Sequence, residues 1–129
     1  MNSCEWYTPK WIFEKLGIEF DMDVCSPPNG EGTHVPAKQY LSIDDDGLKT
    51  PWVGMVWCNP PFSTCKPWIE KFINHGQGVA LCPVSKTRWF DKVVANNNID
   101  IEILPSTLKF IKDGKECTVR SPCCLLHFK

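Results

Sequence analysis

From residue 18 to 25 the chain reads Ile-Glu-Phe-Asp-Met-Asp-Val-Cys. Apolar and polar residues alternate strictly. That is the pattern of a β-strand, with Ile18, Phe20, Met22 and Val24 on one face and Asp21 and Asp23 on the other. Val53 to Cys58 and Val79 to Val84 are nearly continuous apolar runs, as expected of strands buried on both faces. Ile99 to Leu104 alternates again. Between these runs the apolar spacing becomes helical. Trp11, Ile12 and Leu16 follow Thr8-Pro9, where Thr suits a cap and Pro a first turn, and Gly17 stops the run. Trp68, Ile69, Phe72 and Ile73 form a second stripe, opened by Ser63 or Thr64 and closed by Gly76 and Gly78. Trp89, Phe90 and Val93 form a third within Thr87 to Ala95, ended by Asn96-Asn97-Asn98. Residues 26–36 are rich in Pro and Gly and read as a loop. A short apolar piece, Tyr40-Leu41-Ser42-Ile43, precedes Asp44-Asp45-Asp46-Gly47. Leu108 to Ile111 and Thr118 to Phe128 flank Lys112-Asp113-Gly114-Lys115 and predict a terminal hairpin around an Asp-Gly turn.

Strands that alternate with helices predict an α/β fold with βαβ crossovers and a mainly parallel sheet, to which the C-terminal hairpin adds antiparallel strands. The 129 residues are expected to form one domain, 1–129. Hydrophobic residues make up 43% and charged residues 22%, an ordinary globular balance. No apolar run approaches a membrane span and the start lacks signal-peptide order, so a cytoplasmic location with no membrane partner is expected. Eight cysteines are many for this length. Cys25, Cys58, Cys82, Cys123 and Cys124 sit in or beside apolar runs, where a reduced cysteine serves as a small hydrophobe. There is no Cys-x-x-Cys, and the histidines have no zinc-finger spacing, so no metal site is expected. Charge is uneven. Residues 1–85 carry six Lys/Arg against ten Asp/Glu, and residues 86–129 carry eight against five. An acidic first part suits a cationic ligand and a basic second part a polyanion.

In an open α/β sheet, ligands bind just beyond the carboxyl ends of the strands. Asn59-Pro60-Pro61-Phe62 directly follows the apolar run that ends at Cys58. Asn carries one side-chain acceptor and two donors, and the two prolines stiffen the turn. Such a turn can hold the Asn59 side chain and the Pro60 carbonyl at fixed positions. Two acceptors converging on an amino group would bind its hydrogens and orient the nitrogen lone pair toward an electrophile. Phe62 offers a flat face for a planar base or amide. In isolation these residues would also serve as a Pro-rich turn. The buried strand before them, the βαβ context and the aromatic fourth residue favour a functional role.

Several segments carry a resemblance. They are Glu5-Trp6-Tyr7-Thr8-Pro9, Phe20-Asp21-Met22-Asp23-Val24-Cys25, Trp57-Cys58-Asn59-Pro60-Pro61-Phe62, Pro67-Trp68 with Lys71, and Val79-Ala80-Leu81-Cys82-Pro83. In this order the chain resembles the phage-type DNA N-6-adenine-methyltransferase (Dam) family over nearly its whole length. The resemblance implies a Rossmann-like methyltransferase fold, S-adenosylmethionine as methyl donor, and methylation of the exocyclic amino group of adenine in double-stranded DNA. It implies a phage or prophage origin within a bacterial host. It further implies that Trp6, Tyr7, Thr8 and Pro9 help close over the cofactor and that Asp23 contacts it. Asn59, Pro60, Pro61 and Phe62 then hold and stack the flipped base. The chain departs from many methyltransferases in lacking a Gly-x-Gly after the first strand. Asp44, Asp45 or Asp46 could supply a further cofactor contact, Asp46 being the choice. Lys86, Arg88 and Lys109 are the expected DNA contacts. Sequence would have to be read by loops and the hairpin, or by a dimer. The alternatives are a methyltransferase for RNA or a protein amide, and a non-catalytic nucleic-acid-binding or zinc module.

Overall fold

The computed structural model describes residues 7–105, 108–112, 115–118 and 122–129. Their elements run, in chain order, α1 (Lys10–Leu16), β1 (Phe20–Asp23), β2 (Ala37–Tyr40), β3 (Val56–Cys58), α2 (Cys65–His75), β4 (Gly78–Pro83), α3 (Arg88–Val94), β5 (Ile99–Ile103), β6 (Lys109–Lys112), β7 (Lys115–Thr118) and β8 (Cys123–Phe128). Among the described residues, six strands form one sheet in the order β2-β1-β3-β4-β8-β5. Neighbours from β2 to β4 pair in parallel, and β8 runs antiparallel to both β4 and β5. The fold is therefore mixed α/β with a mostly parallel sheet and an antiparallel C-terminal element.

The expected terminal hairpin needs correcting. β6 and β7 do pair around residues 113–114, Lys112 opposite Lys115, but they form a separate two-stranded sheet. The segment read as one strand from Thr118 onward divides into β7 and β8, and β8 enters the main sheet. Its sequence explains this: Cys123, Cys124, Leu125 and Leu126 are all buried, which requires cover on both faces.

Two apolar layers lie against the sheet. On one face Ile69 and Phe72 of α2 and Phe90 and Val93 of α3 pack with Val56, Cys58, Ala80, Cys82, Cys124 and Leu126. On the other, Ile12 and Phe13 of α1 and Phe110 of β6 pack with Phe20, Trp57, Leu81 and Leu125. In α1 the buried pair is Ile12 and Phe13, while Trp11 remains 40% exposed. The spacing of Cys65, Ile69 and Phe72 gives α2 one buried stripe, and Gly76 closes it in a left-handed cap whose N–H meets the Phe72 carbonyl at 3.1 Å. Gly78 begins β4 where a Cβ would strike the Val56 carbonyl, so close strand approach requires glycine there.

β1 departs from strict alternation. Ile18 and Phe20 pack in the layer beneath α1, but Met22 and Val24 pack in the layer beneath α2. The N–H groups of Asp21 and Met22 both reach the Met55 carbonyl, at 2.7 and 3.3 Å. The strand turns over at that point, as at a bulge. The turn carries Asp23 onto the face of its register partner Trp57.

Candidate functional site

β1 has β2 on one side and β3 on the other, so the strand order reverses at β1. The crevice beyond the carboxyl ends of β1 and β3 is the position where such sheets bind ligands. Asp23 ends β1, and Asn59 follows the last residue of β3.

Asp23 is 2% exposed. The Cys25 N–H donates to its Oδ1 at 3.3 Å, and among the described residues no cation lies within ion-pair reach of it. Burial pushes its carboxyl from the ordinary 3.8 up to about 7, against the smaller opposing pull of the Cys25 hydrogen bond. Asn59 is half-buried, and its Nδ2 donates to the Thr8 hydroxyl at 3.1 Å. Thr8 therefore does not cap α1. The helix begins later, with Pro9 at its N-cap, and buries Thr8 against the turn. The Pro61 carbonyl accepts the Thr64 N–H at 3.0 Å and the Cys65 thiol at 3.5 Å. No donor among the described residues reaches the Pro60 carbonyl. Phe62 is half-buried and stands edge-on to Phe110, with centroids 6.0 Å apart and planes at 86°. β6 also bonds the Tyr7 backbone at Ile111, by N–H to O contacts of 2.8 and 2.9 Å. One hairpin thus braces both the segment that leads to Thr8 and the ring of Phe62.

A cavity of about 450 Å³ opens beside this turn. The segment after β1 contributes Val24, Ser26 and Pro27 to its walls, the segment after β2 contributes Ser42, Asp46 and Gly47, and α2 contributes Trp68. Tyr7 and Pro61 also line it. A much smaller cleft, lined by Thr8, Asp23 and Asn59, shares Tyr7, Cys25 and Pro27 with the cavity, so the two adjoin. None of the described residues that line either space is basic. The volume lies within the range of small-molecule sites.

The acidic run after β2 divides by role. The Asp45 carboxylate accepts the Ser42 N–H and hydroxyl, at 2.8 and 3.2 Å, and holds the turn. Asp44 is exposed. Asp46, in a left-handed conformation at φ 51°, faces the cavity wall. Its Oδ2 lies 3.9 Å from the exposed Lys49 ammonium.

The structure gathers Tyr7, Thr8, Asp23, Asp46, Asn59 and Pro61 around these two adjoining spaces. Pro9 and Pro60 are buried beside them without lining either. Trp6 lies outside the described residues. Lys86 and Arg88 are exposed beyond the carboxyl end of β4, on the sheet edge that carries Asn59, and Lys109 is exposed on β6. Cys58 is fully buried core. Burial pushes the Cys65 thiol up to about 12 and the Cys123 thiol up to about 11, so both stay protonated at neutral pH. No group of three or more His, Cys, Asp or Glu among the described residues is placed to hold a metal ion. No described helix is long and apolar enough to cross a membrane.

The sequence places Trp68 in the apolar stripe of α2 and both Trp68 and Lys71 among the residues that carry the family resemblance, but it assigns no site role to them or to Ser26, Ser42 or Ile43. Ile43 lines the cavity yet is 76% exposed, so it stands at the mouth. Trp68 and Lys71 are three apart on α2, a spacing that places them on one helix face.

No curated protein and no solved structure matches the chain. A family profile described as DNA N-6-adenine-methyltransferase (Dam) matches residues 2–125, a span that includes every candidate residue named above. The protein belongs to the DNA N-6-adenine-methyltransferase (Dam) family.

Proposed function

We propose that this protein, acting as one Rossmann-like domain over residues 1–129, transfers a methyl group from S-adenosylmethionine to the exocyclic amino group of adenine in double-stranded DNA. The observation that carries the reading is the juxtaposition of a stiff Asn59-Pro60 turn with a cavity whose described charged lining is acidic, at the reversal point of the sheet. The cavity residues fit the cofactor. Trp68, Leu41 and Ile43 offer apolar surface for a purine, Ser26 and Ser42 offer hydroxyls, and Asp23 and Asp46 offer negative charge to a cation.

S-adenosylmethionine, when bound, supplies an electrophilic methyl group on a positively charged sulfur. The protein's part is orientation. The Asn59 side-chain carbonyl and the Pro60 carbonyl accept the two amino hydrogens of adenine and direct the nitrogen lone pair at the methyl carbon. Phe62 stacks on the base, braced at its edge by Phe110. The Thr8 hydroxyl fixes the rotamer of Asn59. Tyr7, tied to β6, closes the space above Asp23. Lys86, Arg88 and Lys109 meet the phosphates.

The test is to supply the protein with labelled cofactor and offer DNA, RNA and protein in parallel, then sequence any methylated DNA. Label on adenine in DNA supports the proposal. Transfer to RNA or to a protein amide alone overturns the choice of substrate, and absence of cofactor binding overturns the enzyme reading.

A further inference from the structure

One ammonium on α2 organises the Asp46-Gly47 part of the cavity wall. Lys71 Nζ donates to the carbonyls of Gly47 at 3.0 Å, Leu48 at 2.9 Å and Thr50 at 2.6 Å, using all three of its N–H bonds. It also lies 4.8 Å from the centre of the Trp52 ring, whose own Nε1–H donates to the Gly47 carbonyl at 2.7 Å. Three carbonyls that converge without a cation would repel one another, so the loop takes this shape only around a donor that satisfies all three. The loop is tight elsewhere as well. A Cβ on Gly47 would strike the Val24 carbonyl and the Trp68 ring, so the chain runs pressed between the end of β1 and α2.

The same helix turn reaches two neighbouring parts of the cavity wall. Trp68 is itself one of them. Lys71, one turn on, holds the other, Asp46-Gly47, against it through the carbonyls of Gly47 and Leu48. With the Trp52 hydrogen bond to the Gly47 carbonyl, the place of that segment is therefore set by side chains that do not line the cavity.

We infer that Lys71 is a positioning residue that fixes the place of Asp46 and Gly47 in the cavity wall, and so sets affinity for the methyl donor without touching it. This inference rests on the proposed function for the identity of the ligand. The clamp itself is independent of it.

The experiment compares full-length wild type with Lys71→Arg, Lys71→Gln and Lys71→Met. S-adenosylmethionine affinity is measured by calorimetry, steady-state rates are measured with DNA, and amide hydrogen exchange is followed over residues 45–50 without ligand. Losing a set of charge-assisted hydrogen bonds should weaken cofactor affinity about 10- to 100-fold in Lys71→Met. KM for the cofactor should rise in step, while kcat at saturating cofactor changes much less. The order of affinity should be Lys, Arg, Gln, Met, with exchange over 45–50 accelerating in the same order. Conservative rescue by Arg and the split between KM and kcat would not follow from a merely structural role. Wild-type affinity in both Lys71→Gln and Lys71→Met overturns the inference alone, and the Gln variant decides the matter if the Met variant does not fold. Wild-type protein that binds no S-adenosylmethionine overturns the proposed function and, with it, the ligand assigned here.

Discussion

The edge strand β5 and the end of the interior strand β1 treat acidic side chains in opposite ways. On β5 each carboxylate has a basic neighbour. Glu102 meets the Lys15 ammonium and, at 3.0 Å, His127 Nε2, while Asp100 lies 3.6 Å from Lys129. Burial pushes His127 below its ordinary value, with Lys15 adding to the shift, so near neutral pH its contact with Glu102 is a hydrogen bond from an uncharged ring. These groups are partly exposed, and such pairs contribute from nothing to about 1 kcal/mol. At the end of β1, Asp23 is buried with one backbone donor and, among the described residues, no cation. Burial of a carboxylate in that state opposes folding. The β5 pairs are ordinary surface chemistry. Under the proposed function, the counterpart of Asp23 is the positively charged methyl donor in the adjoining cavity.

The contrast can be broken most decisively at the turn beside Asp23. Asn59→Ala should lower kcat by at least about 100-fold, through loss of positioning, while cofactor affinity measured by calorimetry stays near wild type. Normal turnover would return Asn59-Pro60-Pro61-Phe62 to the status of a structural turn.

Asp23→Asn tests the buried carboxylate itself. The folded carboxyl titrates near 7 and the unfolded one near 3.8, so the native state binds the extra proton between those values. The contribution of Asp23 to stability therefore falls as pH rises from 3.8 to about 7 and is level above that. The Asn variant should melt higher than wild type at pH 8, and the advantage should vanish toward pH 4, as thermal melts across that range will show. Cofactor affinity should move the other way. In wild type it should strengthen as pH rises through about 7, because the ionised carboxylate attracts the cation. In Asp23→Asn it should be weaker by about tenfold and lack that dependence. A variant that melts and binds like wild type at every pH would remove the distinction between β5 and the end of β1.

Phe62→Ala should raise KM for DNA by about tenfold, the lower part of the range for one lost base-stacking contact. An unchanged KM would leave Phe62 as packing for Phe110. The smallest effect belongs to the β5 edge. Glu102→Gln should shift the melting temperature by less than about 4 °C and leave turnover intact. A larger loss of either would show that the edge is more than solvated surface.

Most of the sheet was legible because its strands carry their burial in their composition. Of the apolar runs read at 53–58 and 79–84, residues 56–58 and 79–82 are buried as read, whereas Val53 is exposed outside β3 and Pro83 and Val84 are half-buried. β2 was not legible. It is an edge strand with exposed Lys38 and Gln39, so no alternation marks it. The reversal within β1 was hidden because it depends on two N–H groups competing for the Met55 carbonyl, a residue 33 positions beyond Met22. The Asn59 turn was visible as a local motif. Its partner Thr8 was visible only as a cap candidate, since the bond between them joins segments 51 residues apart. The cavity is assembled from the segments after β1 and β2, from α2 and from the Tyr7 segment. None of these announces the others in the chain, and this is why Trp68 reads as part of a helical stripe, and Trp68 and Lys71 as part of a family resemblance, without a place at the cavity.

The position of β8 has a consequence for the order of events in synthesis. Among the described residues β5 pairs with the main sheet only through β8, and β8 pairs with β4 from Val79 to Pro83. Until residues 123–128 leave the ribosome, Leu81 and Cys82 lack their β8 partners and Ile99 to Ile103 have no strand to join. The nascent chain can assemble β1 to β4 and the crevice between them, yet it carries an open apolar edge until β8 is made. Closure of that edge is a long-range pairing, the slow kind in folding. A nascent chain stalled before Cys123 would thus expose a sticky half-sheet that already holds Asp23 and Asn59.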